Sequence, residues 1–397
     1  MKLLLQFTFL LSALLIFSSC ENDPISIGKN ILPDSDFLNL IEVNSLEGEW
    51  GQASSNFKAD SVNLGRSQRL LLGNLDGEIE ASFLLKFFIF LPESIYTPLQ
   101  EGNINVLKSW VELDPSYKIG NTNSNFNYSV HEVFEYWQFN NFDADSLNNL
   151  SVGNEDMKVE QIEISDSLFA FELNKDLVQA WMDVRVDSSL TRKNYGLYFK
   201  SNAGYVIGFP ASNGSIYGFT PRLYIELENP GEFVDTLLTE IVSDDVHIVK
   251  GTIISPPEKE IVLQSGIGQR GSLKFDLSNI PQNVVLNKAV LEISVDSSKS
   301  LFGSPSTDSL AIYFYSDEEL KTIDDQVRVK YLTRDGNKYS GQVETIIQNW
   351  INGKVNYGIE IRLSDEIRGL TRSVIYGSNS DDPALRPKLT LVYAEQR

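Results

Sequence analysis

The stretch NYGIEI at residues 356–361 repeats NYGLYF at residues 194–199, and this repetition decides how the chain is divided. Before each copy comes a segment with apolar residues at helical spacing and a tryptophan, Trp181 in the first and Trp350 in the second. After each copy the chain reaches a strand-like stretch, TPRLYIEL or RPKLTLVY. An internal repeat changes the number of domains, so it has to be identified before the fold is argued.

Short apolar runs rich in β-branched and aromatic residues fill most of the chain, and Gly, Pro, Asn and Asp separate them. This pattern, without regular alternation with helices, predicts an all-β fold. Upstream of the repeated stretch, LLKFFIFLP from Leu84 matches SLKFDLSNIP from Ser272, and LKSWVEL from Leu107 matches NKAVLEI from Asn287. We therefore expect two tandem jelly-roll-like antiparallel β-sandwiches, each with a short amphipathic helix.

The repeat also predicts the domain boundaries. We expect the first β-sandwich over residues 46–230 and the second over residues 246–397, each long enough to bury its own core. The acidic stretch between them, residues 231–245, is predicted to be a linker.

The N-terminal residues 1–19 have the shape of a secretory signal, because one lysine precedes an apolar run too short to span a membrane comfortably. Cys20, the only cysteine of the chain, follows this run directly and resembles the cysteine of a bacterial lipobox. The sequence thus predicts lipidation at Cys20 and a flexible tether over residues 20–45, which is rich in Pro, Gly, Asn and Asp. An ordinary signal peptide with an incidental cysteine is the alternative.

Composition excludes several kinds of site. One cysteine and two histidines cannot form a Cys₄ or Cys₂His₂ zinc site or an internal disulfide framework. The 54 acidic residues against 33 basic ones give a net charge of −21, which argues against nucleic acid as a partner. Sequence motifs of hydrolases and nucleotide-binding proteins do not occur, so we expect no enzymatic activity.

Two resemblances extend this interpretation. A basic strand ending near a proline, a strand with Ala or Trp, a helix ending in Trp, Asn-Tyr-Gly and an Arg-Pro-x-Leu strand together resemble the DNRLRE-type domain. The second copy matches best, through Trp350, Asn356, Tyr357, Gly358, Arg386 and Pro387. In the first copy Pro221 and Arg222 stand in inverted order. That family includes jelly-roll carbohydrate-binding modules, so the resemblance implies this fold and glycan binding. The stretch SIGKNILPDSD resembles surface lipoproteins of Bacteroidetes-like bacteria.

Candidate ligand contacts come from one aromatic loop. Tyr136 and Trp137 follow a strand and enter an Asn- and Asp-rich loop, where a sugar-binding platform is expected. The alternative is a loop anchored by buried aromatic side chains. Trp181 and Trp350 occupy equivalent helical positions, which favours packing roles.

No metal site is predicted, although calcium would suit an acidic chain because it takes oxygen ligands. The candidate donors are adjacent carboxylates, for which solvated loop charge is the favoured interpretation: Asp143 with Asp145, Asp244 with Asp245, and Asp381 with Asp382. His131 and His247 are expected to be strand residues rather than general bases.

These predictions combine into a non-catalytic envelope lipoprotein, held in the outer membrane or at the cell surface by Cys20, whose two β-sandwiches bind polysaccharide or cell-wall glycan. The alternative is a structural or protein-interaction lipoprotein of the envelope without a glycan ligand.

Overall fold

The computed structural model describes residues 39–47, 52–59, 62–75, 77–123, 125–282, 284–305, 308–317, 319 and 321–395. The predicted signal peptide, residues 1–19, and Cys20 lie outside the described residues. Strands account for 45% of the structure and helices for 13%, and the sheets are antiparallel. The prediction of an all-β fold is confirmed.

The first unit comprises residues 62–251 and contains two sheets. Its strands are β3 (Arg69–Leu75), β4 (Ile79–Phe87), β5 (Asn105–Leu113), β6 (Tyr117–Gly120), β7 (Tyr128–Glu132), β8 (Lys158–Ile164), β9 (Phe169–Leu173), β10 (Leu197–Ser201), β11 (Tyr205–Pro210), β12 (Arg222–Asn229), β13 (Phe233–Thr239) and β14 (Val242–Gly251). One sheet has the order β6-β11-β3-β4-β10-β7, with β14 also on β4, and the other has the order β13-β12-β5-β9-β8. Side chains of both sheets fill one core, in which Phe199 stacks on Phe83 at 4.2 Å and meets Phe171 of the opposite sheet.

The second unit is one continuous sheet with a separate core. Its strands are β15 (Glu260–Gln264), β16 (Gln269–Phe275), β17 (Val285–Ser294), β18 (Ser309–Phe314), β19 (Lys330–Asp335), β20 (Lys338–Gln342), β21 (Ile359–Leu363), β22 (Arg372–Tyr376) and β23 (Lys388–Glu395), joined by β1 (Asn39–Asn44) and β2 (Gln52–Ala59). The order is β1-β23-β17-β20-β19-β18-β21-β16-β15-β22, and β2 also pairs with β16.

The two units have the same strand order. If the first unit is read as β13-β12-β5-β9-β8 followed by β7-β10-β4-β3-β11, each of these strands has its counterpart in the second unit, from β1 to β22, and β6 alone has none among the described residues. The main difference is that β18 and β19 pair in the second unit and thereby join its two halves into one sheet. The strand order of the first unit thus recurs in the second, with β6 and the pairing of β18 with β19 as the differences.

Within the residues that the structure describes, four α-helices accompany the strands. They are α1 (Glu93–Gln100), α2 (Ala144–Asn149), α3 (Lys175–Val186) and α4 (Glu344–Ile351). Helices α3 and α4 occupy equivalent places, because each precedes the repeated Asn-Tyr-Gly stretch. Trp181 on α3 and Trp350 on α4 are buried in the first and second core respectively, as their equivalent positions predicted.

The repeated Asn-Tyr-Gly stretch makes the same contacts in both units. The side-chain amide of Asn194 donates to the backbone oxygen of Phe87 (2.9 Å), and that of Asn356 donates to Phe275 (2.7 Å). Each asparagine also accepts a hydrogen bond from the glycine two residues later. Gly358 has φ +91°, and a Cβ added there would lie 2.7 Å from a backbone oxygen. Glycine is required because an L side chain fits neither this conformation nor this space.

A glutamine on each helix binds the helix to the start of an inner strand that comes earlier in the chain, β5 or β17. Gln179 on α3 accepts a hydrogen bond from the backbone nitrogen of Val106 (2.8 Å), and Gln348 on α4 accepts one from Leu286 (2.9 Å).

The strand positions also correct the proline comparison. Leu223 pairs with Val111 as Leu389 pairs with Leu291, so Pro221 matches Pro387 and no inversion is present.

Edge strands differ most from the sequence prediction. The predicted linker, residues 231–245, contains β13 and the start of β14, which complete the first unit on β12 and β4. In the second unit the same two places are taken by β1, which pairs with β23, and by β2, which pairs with β16. Residues 39–44 of the predicted tether are therefore a strand, and β2 belongs to the second unit rather than to the predicted first domain, residues 46–230.

Polar contacts join the two units. The hydroxyl of Tyr117 accepts a hydrogen bond from the backbone nitrogen of Leu370 (3.0 Å), and Arg368 donates to the hydroxyl of Tyr217 (2.8 Å). A backbone bridge between Lys118 and Ser304 adds two more hydrogen bonds. These contacts hold one unit against the other through buried as well as exposed groups.

Candidate functional site

In the loop predicted to bind a sugar, Trp137 is buried and Tyr136 is exposed. Trp137 is only 5% exposed, and its indole nitrogen donates to the backbone oxygen of Tyr195 (2.7 Å). The ring packs against Phe142 and covers Leu84 on the outer side of the first sheet. Trp137 therefore anchors the loop and has no open face for a sugar. Tyr136, in contrast, is 62% exposed.

The acidic pairs have structural partners of their own. Asp143 caps α2 by accepting hydrogen bonds from the backbone and side chain of Ser146, which lower its pKa. Asp381 pairs with Lys259 at 2.6 Å. Within the described residues, no cluster of three or more His, Cys, Asp or Glu side chains is arranged to hold a metal ion.

Both histidines lie in strands, as predicted. His131 on β7 is buried and contacts the hydroxyl of Ser129 and the backbone oxygen of Glu155. His247 on β14 is completely buried, and this burial lowers its pKa to about 4. Neither is placed in an open cleft where a general base would meet a substrate.

The outward side of the five-stranded sheet carries an arrangement that the sequence analysis did not single out. Trp110 on β5 and Tyr224 on β12 are cross-strand neighbours on this side. Their rings are parallel to within 1°, with centroids 4.8 Å apart, and both side chains are partly exposed. Leu238 on β13 lies directly beside Tyr224 and is 43% exposed. We call this surface, centred on Trp110 and Tyr224, the aromatic face.

One carboxylate fixes the two rings. The indole nitrogen of Trp110 donates to Glu112 at 3.1 Å. Partial burial and the nearby Glu112 carboxylate raise the pKa of Tyr224. Side chains held in this way lose little conformational entropy on binding, which favours recognition.

Charged side chains surround the aromatic face in pairs. Arg222 pairs with Glu240 at 2.7 Å and lies over the ring of the exposed Phe219, 4.0 Å from its centroid. Lys108 pairs with Glu172 at 3.2 Å on the opposite side. The surface thus combines partly exposed aromatic rings with hydrogen-bonding groups beside them, which is the combination that sugar recognition uses.

The second unit has no such pair at the equivalent place. Val290 on β17 and Thr390 on β23 take the positions of Trp110 and Tyr224, because they pair across the same two strands. A sequence signal for the difference existed. In LKSWVEL, Trp110 alternates with Val111 and so falls on the outward side together with charged residues, where the second copy has a valine.

Among the described residues, no helix has the length and apolar character needed to cross a membrane. The chain matches no protein-family model, no curated protein and no solved structure.

Proposed function

We propose that this chain is a non-catalytic envelope lipoprotein, anchored through Cys20, whose two units are tandem jelly-roll-like β-sandwiches and whose first unit binds polysaccharide on the aromatic face. The observation that carries this proposal is the parallel pair of Trp110 and Tyr224 on an outward sheet surface. The role of glycan platform thus moves from the Tyr136 and Trp137 loop to this surface.

The chemistry of sugars explains why this surface suits them. One side of a pyranose ring presents C–H groups and the ring edge presents hydroxyls, so binding needs an apolar plane and polar groups beside it. The stacked rings of Trp110 and Tyr224 supply apolar surface, and Leu238 extends it by one strand. Glu112 and Arg222 lie beside the rings and offer acceptors and donors for hydroxyl groups.

The anchor rests on the sequence. The only cysteine follows the apolar segment at the place where bacterial lipidation occurs. Acyl chains contribute about 0.8 kcal/mol for each buried CH₂ group, so two or three of them hold a protein on a bilayer. In the native host, Cys20→Ala should abolish labelling with palmitate and release the protein from the membrane fraction. Labelling that persists in this variant would contradict the anchor.

The binding function is tested with the soluble chain starting at residue 21 and a panel of cell-wall and storage polysaccharides. Affinity electrophoresis identifies retained polymers, and calorimetry then gives their affinities. Trp110→Ala should weaken binding at least about tenfold, because aromatic residues dominate such surfaces. Val290→Ala, the substitution at the equivalent position of the second unit, is the matched control and should leave binding unchanged.

The outcomes separate the two functions considered. Retention that depends on Trp110 supports glycan binding on the aromatic face. Absence of retention by every polymer, together with recovery of specific envelope proteins by the same chain, would contradict it and favour a structural or protein-interaction role. Retention that is unaffected by Trp110→Ala would place the ligand elsewhere, with the exposed Tyr136 as the next residue to change.

A further inference from the structure

We infer that the aromatic face selects uncharged polysaccharides and excludes anionic ones, and that Glu112 is the residue that sets this preference. The inference rests on the proposed function, since it names the class of glycan that the same surface takes. It follows from how the charges around Trp110 and Tyr224 are paired.

The cations beside the aromatic rings are already neutralised. Arg222 is held by Glu240 at 2.7 Å, and Lys108 by Glu172 at 3.2 Å. A uronate or sulfate group that approaches either cation also meets the carboxylate already bound to it. The attraction to the cation is therefore partly offset by repulsion from that carboxylate.

Glu112 lies on the same side of the sheet as the two rings and next to them. On this side of β5, Glu112 is the next residue after Trp110, and it lies opposite Arg222 on β12. Its carboxylate accepts the indole hydrogen bond of Trp110. Its carboxylate also contributes to the raised pKa of Tyr224. A sugar bound against Trp110 or Tyr224 therefore has a fixed negative charge beside it.

Neighbouring positions add to this charge. Glu226 on β12 lies across from Lys108 on β5, next to Trp110 and Tyr224. Glu172 on β9 lies directly across from Trp110. The carboxylates Glu112, Glu172, Glu226 and Glu240 thus surround the rings, against the cations Lys108 and Arg222. Like charges placed side by side in a complex lower its affinity and give specificity by exclusion.

The second unit shows that this glutamate can be neutralised within the same fold. Glu292 is the counterpart of Glu112, and its carboxylate pairs with Lys338 at 2.9 Å and lies 3.7 Å from Lys388. In the first unit the same position accepts the indole N–H of Trp110 instead. The aromatic pair thus occurs in the unit where this glutamate accepts the indole N–H and lies opposite an arginine that Glu240 already holds.

The test uses pairs of polymers that share a backbone and differ in charge. Hydroxyethyl cellulose is compared with carboxymethyl cellulose, and fully methyl-esterified pectin is compared with polygalacturonate, with the soluble chain at low salt. We expect retention of at least one uncharged polymer, loss of that retention in Trp110→Ala, and an affinity at least about tenfold lower for its anionic counterpart. Sodium chloride at 0.5 M should narrow this difference, because it screens the repulsion.

Glu112→Gln tests the residue itself, since the amide oxygen can still accept the indole hydrogen bond. It should narrow the ratio of the affinities for the uncharged and the anionic polymer roughly threefold or more, because the amide carries no charge to repel the anionic one. An unchanged preference in Glu112→Gln, with binding of the uncharged polymer intact, would overturn the role of Glu112.

The two proposals fail in different ways. Anionic polymer bound as tightly as its uncharged counterpart, in a manner that Trp110→Ala abolishes, would overturn the charge preference and leave glycan binding on this face intact. If the chain retains none of the polymers, charged or uncharged, the proposed function fails and the inference fails with it.

Discussion

The first and second units have the same strand order, the same Asn-Tyr-Gly contacts and equivalent buried tryptophans, but their outward surfaces differ. The first presents Trp110 and Tyr224 where the second presents Val290 and Thr390. Residues that hold the fold recur in both units, whereas the aromatic pair is found in one. This contrast separates structural residues from candidate binding residues without reference to any other protein.

The edge strands provide the largest test of the comparison. Removal of residues 39–59 should unfold the second unit, because β1 and β2 pair with β23 and β16, and Ile41 and Val43 pack on its core. The expected loss exceeds about 5 kcal/mol, the low end of the stability of a domain. The first unit, which has its own edge strands β13 and β14, should remain folded.

Hydrogen exchange with peptide resolution measures this outcome. Amides of β16 and β23 should lose protection while amides of β4 and β12 keep it. Protection that falls equally in both units would mean that they unfold together, and unchanged protection of β16 and β23 would contradict the role of β1 and β2.

The two helical tryptophans test whether the units are equivalent in their cores. Trp181→Ala and Trp350→Ala should each cost about 3–5 kcal/mol, because each removes a large buried side chain. Trp110→Ala, on the outward surface, should cost about 1 kcal/mol. Guanidinium unfolding of the three variants gives the values. A cost for Trp110→Ala as large as those of the helical variants would mean that Trp110 is a packing residue.

A smaller, pH-dependent difference is expected from His247. Its counterpart by strand pairing in the second unit is Phe57, since His247 lies opposite Phe83 and Phe57 opposite Gly271. Burial lowers the pKa of His247 from 6.5 to about 4, so the neutral ring is favoured in the folded state. The stability from this group is complete above pH 6.5 and falls by about 3 kcal/mol as pH drops to 4, where the unfolded chain binds the proton more readily.

His247→Leu should remove this dependence. The free energy of unfolding of the variant should decline less between pH 7 and pH 4.5 than that of the unchanged chain, while the acidic residues titrate equally in both. Parallel pH profiles of the two proteins would show that the ring is not buried in its neutral form.

Local sequence predicted the features whose causes are local. The sequence predicts the Asn-Tyr-Gly turn because Gly358 has a positive φ and Asn356 donates a hydrogen bond to the neighbouring strand, at the backbone oxygen of Phe275. The sequence does not predict which strands β1 and β2 pair with, since their partners lie far along the chain. Nothing in the sequence of an edge strand shows which unit it joins. The prediction of Trp137 as a ligand contact fails for a related reason, because its loop folds back onto the sheet and buries the ring.

The sequence predicts the aromatic face only in part. Alternation in LKSWVEL places Trp110 outward, but Tyr224 lies on β12, and only the strand pairing brings the two rings together. Sequence therefore gives the side of the sheet on which each ring lies, and the fold gives their proximity. The same limit applies to Glu112, whose relation to Tyr224 depends on that pairing.

The most direct test exchanges the surface of one unit for that of the other. The variant Trp110→Val/Tyr224→Thr gives the first unit the residues that the second carries at the same positions, so it is expected to fold. With a polysaccharide that the unchanged chain binds, its affinity should fall by about thirtyfold or more, while its midpoint of guanidinium unfolding changes little. Retention of full affinity in this variant would contradict the assignment of glycan binding to the aromatic face.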